Sequence, residues 1–259
     1  MRTVISQDGT PIAFDQSGEG PPIILVVGAF NTSSTGAPLA AQLSKHFTVF
    51  NYDRRGRGAS GDTVPYAIER EIEDIDALIT EAGESASVFG YSSGAILALM
   101  AAARGLPITK LAVYDPPLLV DAESSRQFKD LVGQLAELIA SGHRGEAVEL
   151  FQTQALGMPT TVVTQLRQAP FWPALEDIAH TLVYEATLLG DMPALAQRMA
   201  SIPVATLVIS GGEIQARMLQ AAQAVAAALP TASHRSLSGQ THDIVPAVLA
   251  PVLEEFFAG

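Results

Sequence analysis

The sequence predicts an α/β protein: a mostly parallel sheet, helices on both faces, and a helical insertion. Three observations predict it. Apolar runs without alternation, at residues 23–27 and 204–210, read as strands covered on both faces. Helical patterns follow these runs, and strand–helix alternation means a parallel sheet. Residues 118–199 break that rhythm, with helical patterns and no convincing strand, and read as an insertion between two sheet strands. The 259 residues therefore divide into a core, 1–117 with 200–259, and a helical cap at 118–199.

The elements follow in order. Residues 3–6 and 12–15 are strand-like and joined by Asp8-Gly9-Thr10-Pro11, a hairpin turn signal. Gly18 to Pro22 breaks the chain before the apolar strand at 23–27. A helical stretch near 37–44 leads to a second such strand at 47–52. Asp53-Arg54-Arg55-Gly56-Arg57-Gly58-Ala59-Ser60 is a loop. Residues 68–82 form an amphipathic helix with Ile68, Ile72, Ile75, Leu78 and Ile79 on one side.

A short strand at 87–89 and a buried helix at 95–104 flank the pentapeptide 90–94, and a strand at 111–114 ends in Asp115-Pro116-Pro117. Inside the insertion, helical patterns cover 125–140, 146–156 and 173–189. After it come the strand ending in Gly211-Gly212, a helix at 216–229, a short strand at 233–237 and a last helix at 245–257.

Composition narrows the function. Hydrophobic residues make up 48% and charged residues 16%, as in a compact globular protein. A net charge of −12 repels phosphate backbones, arguing against nucleic acid and anionic membrane as partners. With no cysteine there is no disulfide, thiolate metal site or cysteine nucleophile. The first residues lack the apolar core of a signal peptide, and no apolar run approaches membrane-spanning length. The expectation is a cytoplasmic protein acting on a small-molecule substrate.

Gly90-Tyr91-Ser92-Ser93-Gly94 carries the chemistry. A bare Gly-x-Ser-x-Gly arises by chance in roughly one chain in ten of this length, so its context decides. With a strand before and a helix after, it reads as a nucleophile elbow: a sharp turn that presents Ser92 at the end of the sheet. The helix N-terminus points free N–H groups at the same spot.

A serine hydroxyl needs a base, and the base needs an orienting carboxylate. Of five histidines, His46 lies just before a strand, His143 in a loop, His180 inside a helix and His234 within a short strand. Structural roles suit all four. His242 follows the last strand in Ser238-Gly239-Gln240-Thr241-His242-Asp243, where loops reach the same sheet edge as the elbow. Two acids follow strands that flank the site. Glu213 is near the commoner place for such an acid but one residue early, with Ile214 in the usual position. Asp115 directly follows its strand and is stiffened by two prolines, and it is favoured. An oxyanion hole would use the N–H groups of Ser93 and, from the loop after the 23–27 strand, Ala29.

These residues resemble the α/β-hydrolase superfamily with a helical cap, over nearly the whole chain. Residues 53–60 are similar to its Asp-x-x-Gly-x-Gly-x-Ser loop, and Gly90–Gly94 and Gly239–His242 to its nucleophile and histidine motifs. The resemblance implies the α/β-hydrolase fold. Some branches, including haloalkane dehalogenases and zearalenone-type lactonases, carry the acid after the strand that follows the elbow, which supports Asp115. The chain departs from the common pattern in having Val27-Gly28 where His-Gly is usual, and in lacking the late aspartate.

Serine at the elbow argues against dehalogenase and epoxide hydrolase chemistry, which require aspartate there. The expected activity is hydrolysis of an ester, lactone or related acyl bond of a small apolar substrate, through an acyl-enzyme on Ser92. No metal or organic cofactor is required. Carbon–carbon bond hydrolysis or perhydrolysis on the same triad is an alternative, as is a non-catalytic ligand-binding protein of the same fold. Phe30, Tyr91 and Trp172 are expected pocket walls, with Phe171 and Met158 further candidates against a packing role.

Overall fold

The computed structural model describes residues 1–117 and 122–259. Eight strands form one sheet: β1 (Arg2–Ile5), β2 (Pro11–Ser17), β3 (Pro22–Val26), β4 (Thr48–Tyr52), β5 (Ala86–Tyr91), β6 (Ile108–Tyr114), β7 (Thr206–Gly211) and β8 (Ala232–Leu237). Their order is β1-β2-β4-β3-β5-β6-β7-β8. The β1–β2 hairpin and the β2–β4 pair are antiparallel, and every pair from β4 to β8 is parallel.

The core helices are α1 (Ser33–Leu43), α2 (Ile68–Glu81) and α3 (Ser93–Ala103). The helices α4 (Ala122–Ala140), α5 (Arg144–Gln154), α6 (Thr160–Leu166), α7 (Trp172–Asp177), α8 (Thr181–Gly190) and α9 (Met192–Arg198) form a cap-like insertion between β6 and β7. The chain closes with α10 (Ala216–Ala228) and α11 (Pro246–Ala258).

Two compact units result, Met1–Leu118 with Ala194–Gly259, and Leu119–Pro193. The expected start of the insertion, at 118, lies outside the described residues.

In the first unit, alternate strand residues explain the layering. Ile23, Leu25, Val49, Phe89, Ala112, Leu207 and Ile209 join Leu39 and Leu43 of α1 and Leu249, Leu253 and Phe257 of α11 in one cluster. The intervening residues Ile24, Val26, Val88, Val113 and Val208 are as fully buried, as period-two side chains of a doubly covered sheet must be. Helix α3 is buried from Ser93 through Ala102, which suits its lack of a polar face. In α2, Ile72, Ile75, Leu78 and Ile79 are buried as the pattern predicts, and Ile68 is half-buried.

Among the helix boundaries that differ from expectation, two have a clear cause. Helix α1 begins at Ser33, not near 37, and runs through Pro38. A carboxylate twenty residues away supports that start: Asp53 Oδ1 accepts the Ser33 N–H at 2.7 Å. The helical pattern at 173–189 is two helices, and His180 is the residue just before the second rather than lying inside one. The Arg144 guanidinium donates to the carbonyls of Glu176 and Asp177, so the end of α7 is satisfied without further helix.

The 53–60 loop is held by buried charge. Arg54 makes a bidentate pair with Glu71 of α2, at 2.7 and 2.8 Å, with 0% and 2% of the side chains exposed. Arg55 similarly binds Asp74 and reaches Asp8. Asp53 Oδ2 accepts the Ala59 N–H, and a side chain at Gly58 (φ +54°) would collide with that carboxylate. Breaking a buried pair strands its partner, at about 3–5 kcal/mol. Arg54→Met is therefore expected to lower the melting temperature by roughly 6–20 °C. Arg54→Met combined with Glu71→Leu should recover most of the loss in thermal unfolding.

Candidate active site

The topology selects one place on the sheet. From β3 the chain crosses by α1 to β4 on one side, then returns by α2 to β5 on the other. Ligands of open α/β sheets bind at the carboxyl ends of strands at such a reversal. The β3–β5 register pairs Val26 with Gly90, so residues 28–31 and 92–93 leave the sheet side by side. A Cβ at Gly28 would lie 2.9 Å from Ser92 Cβ, a close approach that only glycine permits.

Ser92 joins β5 directly to α3, with φ +55° and ψ −125°. A non-glycine residue in that region costs of order 1–3 kcal/mol, held by the surrounding structure. The neighbours show what holds it. A Cβ at Gly94 would lie 2.3 Å from Val26 O, and one at Gly90 2.7 Å from Ala95 Cα. Both glycines of the pentapeptide are therefore steric requirements of the turn.

His242 and Asp115 complete a chain of polar atoms. His242 Nε2 lies 3.2 Å from Ser92 Oγ, and its Nδ1 lies 3.0 Å from Asp115 Oδ2. Asp115 is fully buried, and its other oxygen accepts the Gly211 N–H at 3.0 Å. It sits directly beyond β6 with φ +48°, its own N–H bound to Ile209 O. A carboxylate at Nδ1 favours the tautomer with a proton there, leaving Nε2 free to accept from the serine hydroxyl. The arrangement can thus take the Ser92 proton and stabilise the resulting imidazolium.

Glu213 does not join this chain. It is exposed, and its backbone N–H binds Gln240 O at 2.8 Å.

Sequence reasoning missed the supports of the histidine loop. Tyr114, the last residue of β6, donates its hydroxyl to Thr241 O at 2.6 Å, immediately before His242. Burial, and then the charges of Asp115 and Asp243, push the Tyr114 hydroxyl above its ordinary range, so it stays a donor. Tyr91 belongs to the same core cluster, its ring 6.1 Å from that of Tyr114 and 5.0 Å from that of His242. Burial also raises the Tyr91 hydroxyl, with smaller contributions from Asp243 and Asp115. A tyrosine ending the strand before the acid was the available signal, since a buried Tyr hydroxyl needs a partner.

Ser93 is the first residue of α3 and buried; Ala29 is half-buried, with its carbonyl held by Asn31 Nδ2 at 2.6 Å. Phe30 is half-buried with φ +60°. Trp172 belongs to the second unit, where it is buried and its indole N–H binds Glu176 at 2.9 Å. Phe171 is half exposed and Met158 partly so. His234 faces Ser210 Oγ at 3.0 Å and His180 faces Arg144. Among the described residues, no cluster of three or more His, Asp or Glu could hold a metal ion. Among them also, no helix is long and apolar enough to cross a membrane.

The model of the alpha/beta hydrolase family matches residues 23–249, from β3 into the last helix. The chain belongs to the alpha/beta hydrolase family. This alpha/beta hydrolase is similar along its length to a solved alpha/beta hydrolase from Sphaerobacter thermophilus. The two are 51% identical with a TM-score of 0.90, covering 99% of this chain and 100% of that one. The enol-lactonase from Burkholderia xenovorans shares the fold, at 23% identity and a TM-score of 0.74 over the whole of both chains. The N-formylmaleamate deformylase of Pseudomonas putida is 35% identical over 105 residues, 39% of each chain. Matches to two curated relatives span 54% and 39% of those proteins' lengths.

Proposed function

We propose that this alpha/beta hydrolase cleaves an ester, lactone or related acyl bond of a small, uncharged substrate through an acyl-enzyme on Ser92. One observation carries the reading: the chain from Ser92 Oγ through the His242 ring to the buried Asp115 carboxylate, at 3.2 and 3.0 Å. An enol-lactonase and a deformylase among the similar proteins support acyl chemistry. His242 Nε2 takes the hydroxyl proton as Ser92 attacks the carbonyl carbon. The amides of Ser93 and Ala29 receive the developing oxyanion. The imidazolium gives its proton to the leaving group, then activates water to release the acid and restore Ser92.

The deciding experiment is intact-mass analysis after treatment with a fluorophosphonate. The expected result is one adduct on the wild-type protein and none on Ser92→Ala; an unlabelled wild type overturns the reading. Tyr114→Phe removes the anchor of the histidine loop, a hydrogen bond with a net value of about 1 kcal/mol. It should lower kcat for p-nitrophenyl esters by roughly three- to tenfold, with unchanged far-UV circular dichroism.

A further inference from the structure

Behind the loop that offers the Ala29 amide lies a buried cation that donates to two of the loop's backbone carbonyls. Arg57 is 2% exposed, and its Nη1 donates to Gly28 O at 2.7 Å and to Asn31 O at 3.2 Å. Asn31 turns back on the same segment, with Nδ2 on Ala29 O and its N–H 3.4 Å from Gly28 O. From the other side, Arg54 Nη1 holds Val27 O at 3.2 Å.

The geometry of one peptide gives these contacts a meaning. The Gly28–Ala29 bond is trans, and in a trans peptide the C=O and N–H point in opposite directions. Fixing Gly28 O therefore fixes the line along which the Ala29 N–H is aimed. Ala29 lies one residue from Gly28, where an added Cβ would meet Ser92 Cβ at 2.9 Å and Tyr91 O at 3.0 Å.

We propose that Arg57 is a positioning residue that aims and strengthens the Ala29 N–H as an oxyanion donor. This rests on the acyl-transfer reading and deepens it. Two effects act together. The guanidinium holds the peptide in place before reaction, so no reorganisation is needed when charge develops. A carbonyl bound to a cation also polarises its own peptide, making the N–H on the far side a better donor. Arg57 itself touches no reacting atom in this scheme.

The test compares Arg57→Gln and Arg57→Lys with the wild type by two readouts. One is kcat and KM on a p-nitrophenyl ester. The other is the ionisation of the hemiketal that Ser92 forms with a 13C-carbonyl-labelled trifluoromethyl ketone, followed by NMR. Arg57→Gln is expected to lose about 30- to 100-fold in kcat with KM within about threefold. Its hemiketal should ionise about one pH unit higher than that of the wild type. Arg57→Lys keeps the charge and should recover part of both effects.

A purely structural role would change stability and leave the hemiketal ionisation where it was. That result in folded Arg57→Gln overturns the proposal, as does a kcat of that variant within twofold of wild type. If Arg57→Gln fails to fold, Arg57→Met decides by the same two readouts. A wild-type protein that forms no hemiketal overturns the acyl-transfer reading itself, an outcome separate from any effect of Arg57.

Discussion

Ser92→Ala is expected to lower kcat for ester turnover by about a millionfold while leaving the fold intact. The size follows from what the hydroxyl does. It is the attacking atom and the proton donor to His242 Nε2, so its removal ends the covalent route rather than slowing one step. Only the oxyanion donors and substrate binding remain, worth a residual factor of about a thousand over water. Alanine occupies the same strained corner without new atoms, and Gly90, Gly94 and Gly28 still enclose it. Steady-state kinetics and thermal unfolding check the two halves. A folded Ser92→Ala enzyme retaining more than about a thousandth of wild-type kcat would remove Ser92 from the nucleophile role.

The elements that sequence made legible share a physical property: their signal is local. An unalternating run such as 23–27 marks a doubly covered strand whatever lies beside it. The Ser92 corner announces itself because its glycines are demanded by neighbours within the same turn or the adjoining strand. Misread boundaries depended on distant groups instead. The start of α1 is set by Asp53, and the break between α7 and α8 is occupied by Arg144, over thirty residues earlier.

The candidate site divides the same way. Ser92, His242 and Asp115 could be singled out because each sits at a strand end or in a loop over one sheet edge, and the register brings those ends together. What the supports bind was invisible because their partners are backbone carbonyls, which carry no sequence signature; only the Tyr114 position itself gave a hint. Tyr114 reaches Thr241 O, and Arg57 reaches Gly28 O. An arginine in a polar loop reads as solvated, whereas three of them here, Arg54, Arg55 and Arg57, are almost wholly buried.

The acid is where geometry adds most to the sequence reading, and a pair of conservative amides tests it. Asp115→Asn is expected to reduce kcat by about ten-thousandfold, and Glu213→Gln to leave it within about twofold. In the first variant the Gly211 N–H can still bind the side-chain oxygen, so the loop keeps its anchor. The group facing His242 Nδ1 then becomes an amide N–H, which requires Nδ1 to accept. That tautomer places the ring proton on Nε2, aimed at Ser92, where it cannot take up the hydroxyl proton. The imidazolium formed during attack also loses its carboxylate. Labelling by the fluorophosphonate should slow together with turnover, because both require the same proton transfer. Glu213 is exposed and supports Gln240 through its backbone N–H, which glutamine keeps. A large loss in Glu213→Gln alongside a near-normal Asp115→Asn would move the acid to the β7 end of the sheet. It would also leave Asp115 as a turn residue whose buried charge needs another explanation.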